Sequence, residues 1–287
     1  MLGSFFGVVF DGFAYGMLLF VLSVGLSVTL GMMNFVNLAH CAFAMLGGYV
    51  AVTLMNGFGW PFFATLPVAF VAAAVVSVVL ERTLYRRLYR ATELDQCLLT
   101  IGIVFVAIAG AAYVFGTIQQ PVQLPSYLHG SVTFLGINFA VYRLFLIVTA
   151  LVITVALVTS IEFTRFGARV RAAVDNERMA RGLGINVDRT FAITFALGSG
   201  LAGLGGALAI EMVGLEPGFA FSYLIYVLIV VSVGGLGSIR GSFVAAALLG
   251  ISDSAGKYYV PQLGAFLIYL VMLGLLMWRP GGLFGRR

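Results

Sequence analysis

Charge is what this chain has least of. Of its 287 residues only 9% are Asp, Glu, Lys or Arg, against roughly a quarter in a soluble domain, which excludes an ordinary cytosolic enzyme. Lysine is nearly absent: Lys257 stands alone, in SDSAGKYY. No glycine stands five residues before Gly256, and Tyr258 takes the place of the Ser or Thr that would hold magnesium. The chain therefore lacks a Walker A loop and does not itself hydrolyse ATP. Histidine is limited to His40 and His129, and cysteine to Cys41 and Cys97. Neither pair has metal-ligand spacing or a disulfide pattern. Both cysteines read as small buried hydrophobes, and no metal or other cofactor is expected. Paired catalytic groups are missing as well, which argues against a membrane enzyme.

What is abundant is apolar length. The chain is 61% hydrophobic, with a mean hydropathy of +1.08. A helical crossing takes about 20 apolar residues. Runs of that kind are Gly12–Gly31, Pro61–Leu80, Cys97–Phe115, Tyr142–Ile161, Phe191–Ile210, Tyr223–Leu236 with its flanks, and Gln262–Trp278. Phe35–Met55 and Ser242–Ile251 are shorter or broken. Strands of a barrel would alternate apolar and polar in segments of about ten residues, and these runs do not. The expectation is an all-α polytopic membrane protein with eight or nine transmembrane helices, some broken or re-entrant. The first charge is Asp11 and no basic segment precedes it, so the N-terminus reads as a first span, not a cleaved signal.

The formal net charge of +5 reflects membrane topology, and no nucleic-acid partner is expected. Arginines cluster in short loops beside spans, as cytoplasmic loops do: Arg82, Arg86, Arg87 and Arg90; Arg165 through Arg189; Arg279, Arg286 and Arg287. The uncharged stretch Gly116–Val141 then lies outside, carrying Pro121, Pro125 and Gly130, and is expected to be ordered by turns. Nine crossings would leave the N-terminus outside. Eight would require Phe35–Met55 or Ser242–Gly256 not to cross fully. The whole chain is expected to be one transmembrane domain, 1–287, with an outside loop at about 116–141 and a cytoplasmic loop at about 162–190.

Two polar interruptions break the hydropathy. NFVNLAH (Asn34–His40) supplies Asn34, Asn37 and His40, either as hydrogen-bonding groups between helices or as the lining of a solute path. GGLGSIRG (Gly234–Gly241) is a turn or a broken helix. Small residues four apart, Gly198/Ala202/Gly206, Gly12/Gly16 and Gly237/Gly241, prescribe close helix packing, within the chain or between chains. Of the carboxylates near spans, Asp11, Glu211 and Glu216 are expected at an interface. Asp253 is the least explained; it is expected to pair with Lys257 or, in a proton-coupled carrier, to be the coupling group.

The densest information is in EFTRFGARVRAAVDNERMARGLGINVDRT, with six arginines and four acids. A helix is expected over Arg169–Gly184, stopped by Gly182 and Gly184. Val170, Ala173 and Val174 would form an apolar stripe, and Arg171, Asp175 and Arg178 a charged one. Such a helix suits the groove of a soluble partner. Acids at Asp175, Glu177 and Asp188 make a purely lipid-facing role less apt.

The stretch Gly167–Leu208 resembles the permease subunits of branched-chain amino-acid-type ABC importers. LGMMNFVNLAHCAFAMLGGYVA (Leu30–Ala51), VGGLGSIRGSFVAAALLG (Val233–Gly250) and RPGGLFG (Arg279–Gly285) are similar to further family motifs in the same order. Departures are Val36–Leu38, Cys41 in place of a usual Gly, and Arg240 in place of a frequent Pro. The resemblance implies ABC ATPase subunits docking at Arg171, Asp175, Asn176, Arg178 and Arg181. It also implies a sister permease subunit, an extracytoplasmic solute-binding protein, and a translocation path near Asn34, Asn37 and His40. The solute would be a branched-chain or related amino acid, a urea, an amide or an aromatic acid. Membrane lipids surround the chain. Competing readings are a self-sufficient secondary carrier or channel using Asp253, and a sugar-type permease.

Overall fold

A computed structural model describes residues 2–33, 35, 37–88, 91–122, 125–134 and 137–285. Asn34, Val36, Arg90, Arg286 and Arg287 lie outside the described residues. In hydrocarbon every backbone N–H and C=O must find a partner within the chain, so the apolar runs become helices. They are α1 (Leu2–Met33), α2 (His40–Phe58), α3 (Phe62–Leu80), α4 (Arg86–Leu88), α5 (Glu93–Phe115) and α6 (Val141–Glu162). After these come α7 (Arg165–Asp175), α8 (Glu177–Gly182), α9 (Val187–Val213), α10 (Phe219–Gly234), α11 (Ile239–Tyr259) and α12 (Gly264–Trp278). A π-helical turn, Glu81–Tyr85, joins α3 to α4. Among the described residues six helices are long and apolar enough to cross a membrane; Phe219–Gly234 and Phe266–Trp278 are shorter apolar helices. This is an all-α polytopic membrane fold.

The centre of the bundle is α1, whose residues Met17 to Leu22 are all buried. It lies antiparallel to α11 at very short range. A Cβ on Gly16 would stand 2.4 Å from the Ala246 carbonyl oxygen, and one on Gly250 would stand 2.4 Å from Gly16 Cα. Lower down, Ser242 Oγ donates to Ser27 Oγ at 3.0 Å. On the other side α9 meets α1, α2 and α3, with Gly206 against Ala44 of α2. The Gly12/Gly16 and Gly198/Ala202/Gly206 stripes are thus consumed within the chain.

Of the two shorter or broken segments, the one in α2 is long and apolar enough to cross, and the other is helical. Phe35 is buried beside Tyr85 (ring centroids 5.3 Å) and Phe195 (6.4 Å). Asn37–Ala39 lead into His40 without helix, and α2 then runs on until Asn56 Nδ2 donates to the Pro121 carbonyl at 2.9 Å. The non-helical entry is tolerated because protein surrounds it. Ser242–Gly256 falls inside the unbroken 21-residue α11. The helices are in keeping with the expected polytopic all-α fold.

The two ends differ. At one, the stretch 116–141 forms a 3-10 turn, Ser126–Leu128, and an antiparallel hairpin, β1 (Ser131–Phe134) with β2 (Ile137–Ala140), in the register Ser131↔Ala140. Phe139 packs edge-on to Phe10 of α1 at 4.6 Å, and Arg143 pairs with Asp11. Gln120 N donates to the Leu215 carbonyl at 2.9 Å. The expectation of order by turns did not name this hairpin. Glu211 and Glu216 are exposed, and Asp11 is at the end where its ion pair forms. At the opposite end sit α7, α8, the α10–α11 turn and the C-terminal tail.

Candidate docking and translocation site

The charged island is two helices, where one was expected. Thr164 caps α7 by accepting from Gly167 N at 3.3 Å. The chain then leaves helical geometry at Asn176 (φ −154°, ψ 95°), whose side chain accepts from Met179 N at 2.9 Å and starts α8. Asn offers its own backbone-like acceptor and so competes with helix continuation. A single helix over Arg169–Gly184 is therefore corrected to α7 and α8.

The expected apolar stripe is also divided. Val170 and Ala173 are buried by this chain, Ala173 in a small cluster with Ala180 and Val187. Only Val174 of that stripe is exposed. Met179 and Leu183, which the expected stripe left out, supply apolar surface, being 67% and 79% exposed. Among the expected docking residues, Asp175, Asn176 and Arg178 are exposed beside them. Arg171 is half-buried and donates to the Ile161 carbonyl at the end of α6. Arg181 bonds Glu177 at 2.9 Å and Asp188 at 2.6 Å, and Asp188 also pairs with Arg86. The Asp188 carboxylate, then that of Glu177, raises the pKa of the Arg181 guanidinium above its ordinary value. Arg171 and Arg181 thus fasten the island to α6, α4 and α9, while Asp175, Asn176 and Arg178 face outward.

Behind α7 lies a cavity of about 370 Å³ lined by Gly31, Glu162, Arg171, Asp175, Arg240 and Phe284 among others. It joins the island to two sequence motifs that were read separately. Gly235 (φ +96°) and Gly237 (φ +77°) make a turn no L side chain adopts easily, and Ser238 caps α11 by accepting from Gly241 N at 3.0 Å. The tail pairs with this turn: Leu283 N donates to the Val233 carbonyl at 2.8 Å and Phe284 N to that of Gly234 at 3.2 Å. Arg240 Nη2 donates to Glu162 at 2.7 Å, tying α11 to α6. Gly234–Gly241 is a turn, and no single-segment signal could have revealed its tail partner.

The interior polar residues are within the bundle. His40 is fully buried, and its Nε2 donates to the Leu22 carbonyl of α1 at 2.9 Å. Asn37 is buried and its Oδ1 accepts from Ala39 N at 3.2 Å. Among the described residues, Asn37 Nδ2 and His40 Nδ1 have no hydrogen-bond partner. These two carry unused donor or acceptor capacity at the point where α2 starts. Asp253 is 2% exposed and pairs with Lys257 at 2.6 Å, the salt bridge the sequence suggested.

A bundle of long apolar helices with an exposed charged island at one end defines a polytopic membrane protein. The chain belongs to the family described as branched-chain amino acid transport system / permease component, whose model matches residues 8–276. It is a multi-pass inner-membrane protein. It is 27% identical over 284 residues to the probable branched-chain amino acid transport permease protein LivH of Methanocaldococcus jannaschii, covering 94% of this chain and 90% of that one. With the high-affinity branched-chain amino acid transport system permease protein LivH of Escherichia coli K12 it shares 27% over 296 residues, covering 96% and 94%. With the corresponding LivM of that organism it shares 25% over 294 residues, covering 93% of this chain and 68% of the relative. No solved structure matches the chain significantly.

Proposed function

We propose that this chain is one of two sister membrane subunits of an ATP-driven importer for branched-chain or closely related amino acids. The observation that carries this reading is the family match over residues 8–276, joined to relatives named as LivH and LivM permeases. It favours an importer over a self-sufficient carrier, in which Asp253 would have to act outside its bond to Lys257. All 287 residues act as one permease domain with no catalytic role, and a separate subunit hydrolyses ATP. The island end faces the cytosol and the hairpin end faces an extracytoplasmic binding protein that delivers solute.

Val174, Asp175, Asn176, Arg178, Met179 and Leu183 form the surface the ATPase grips, a mixed apolar and charged patch of the kind soluble partners recognise. Its movement reaches the bundle through Arg171 to α6, through Arg181 and Asp188 to α9 and α4, and through Glu162 to Arg240 on α11. Asn37 and His40 border the path, where a passing polar solute would meet unpaired groups.

The test is a mild-detergent pull-down of the tagged chain from its native membrane, followed by ATPase assay and identification of partners. Recovery of a Walker-motif ATPase, a second permease and a binding protein holding an amino acid is the expected result. Isolation of the chain alone, still able to transport after reconstitution, would overturn the proposal.

A further inference from the structure

Three hollows converge on one face of the bundle at the island end. The first, about 220 Å³, lies between α6 and α9 and includes Ile153, Leu157, Leu197 and Leu201. The second, about 280 Å³, lies between α3 and α9, from Phe70 past Val78 to Arg82 on one wall and from Leu197 past Ile193 to Arg189 on the other. The third, about 570 Å³, is walled by Phe166, Arg169, the loop 183–186 and the first turn of α9. They are contiguous. Phe166 lines the first and third, Arg189 and Ile193 the second and third, and Phe70 and Leu197 the first and second. The ridge Ile193–Leu197 therefore separates two apolar grooves that share one polar mouth.

The mouth is cationic. Arg82, Arg169 and Arg189 line it, and no acid lines any of the three hollows. Nearby acids are already engaged: Asp188 by Arg86 and Arg181, Glu162 by Arg240. None of Arg82, Arg169 and Arg189 forms an ion pair among the described residues. The positive end of the α9 dipole opens into the same space. From Phe70 to Arg82 the helical rise is about 18 Å, close to the roughly 15 Å depth of one hydrocarbon leaflet.

We propose that this face binds one anionic glycerophospholipid. Its headgroup phosphate is held by Arg82, Arg169 and Arg189, and its two acyl chains lie in the grooves on either side of Ile193–Leu197. A basic hollow between spans at the membrane surface is the chemistry that selects anionic headgroups. The forked shape separates this occupant from a partner helix, which is about 10 Å wide with its side chains and needs one broad groove.

The experiment reconstitutes the purified full chain, within whatever complex it forms, into vesicles of phosphatidylcholine and phosphatidylglycerol in equal amounts. The protein is re-extracted, washed, and its retained lipid is quantified by mass spectrometry. Phosphatidylglycerol is expected to be enriched over phosphatidylcholine, and each of Arg82→Gln, Arg169→Gln and Arg189→Gln is expected to lower that enrichment by about fivefold, the weight of one basic residue at an anionic surface. Ala74→Phe, which fills the second groove without touching charge, is expected to lower total retention; it tests the site if an arginine variant fails to fold. Equal retention of the two lipids, or enrichment unchanged in the arginine variants, would overturn the proposal. So would loss of the bound lipid to excess inorganic phosphate, which would reduce the site to a headgroup cradle. Disulfide cross-linking of Ile193→Cys to a second permease chain would make the face a protein interface and overturn it equally.

Discussion

His40 Nε2 stands 2.9 Å from the carbonyl oxygen of Leu22, so the first residue of α2 is pinned to the middle of α1. That bond fixes where a non-helical segment becomes a helix inside the bundle. Replacing His40 by Ala is expected to cost about 0.6–2 kcal/mol, the range of interhelical hydrogen bonds in membranes, and to lower the melting temperature in detergent. If His40 also borders the path, uptake will fall by more than the lost folded fraction. Thermal unfolding and uptake measured on the same preparation separate the two.

The island predicts a split between its arginines. Reversing Asp175 and Arg178 together, as Asp175→Lys with Arg178→Glu, is expected to abolish ATPase co-purification and uptake while leaving the melting temperature unchanged, since neither side chain is tied into the bundle. Arg181→Ala is expected to lower the melting temperature, because it removes partners from Glu177 and Asp188. Normal uptake by the double reversal would remove Asp175 and Arg178 from the docking surface.

Glu162 and Arg240 are both partly exposed, 41% and 64% at the side chain, and an exposed pair contributes at most about 1 kcal/mol to stability. Its importance should show in coupling. Arg240→Glu is expected to uncouple ATP hydrolysis from uptake, and the exchanged pair Glu162→Arg with Arg240→Glu to restore it. Failure of the exchange, with both proteins folded, would mean the pair does not transmit movement.

Gly206→Leu is expected to abolish folded, monodisperse protein, because even a Cβ there would lie 1.7 Å from the Ala44 carbonyl oxygen. Gly57→Leu, where a Cβ meets nothing within 4 Å, is the matched control and should purify normally. Size-exclusion profiles of the two settle it.

Sidedness is open to direct labelling. In a chain carrying Cys41→Ser and Cys97→Ser, cysteines placed at Tyr113 and at Arg178 should react from opposite faces with a membrane-impermeant maleimide. Reaction of both from one face would refute the alternation of helices.

How much was legible depended on range. The apolar runs were readable because lipid leaves helices as the only solution for them, and the Gly198/Ala202/Gly206 stripe announced close packing. The break at Asn176 was not readable, since alanines and arginines on both sides favour a continuous helix. Val170 and Ala173 misled for a different reason: an apolar stripe looks the same in sequence whether it faces its own bundle or a partner. The pairing of Val233 and Gly234 with Leu283 and Phe284 joins motifs about fifty residues apart, and local pattern carries no such information.

The burial of α1 has a consequence for how the protein is made. Its closest partner, α11, ends at Tyr259, 226 residues after α1 ends at Met33 (259 − 33). At about 5–20 residues per second of synthesis, the first helix waits roughly 11–45 s in the bilayer before its glycine face is covered. During that interval Gly12 and Gly16 are open to any small-residue helix in the same membrane. A chain stalled before α11 is therefore a sticky fragment, one that the cell must either finish or destroy.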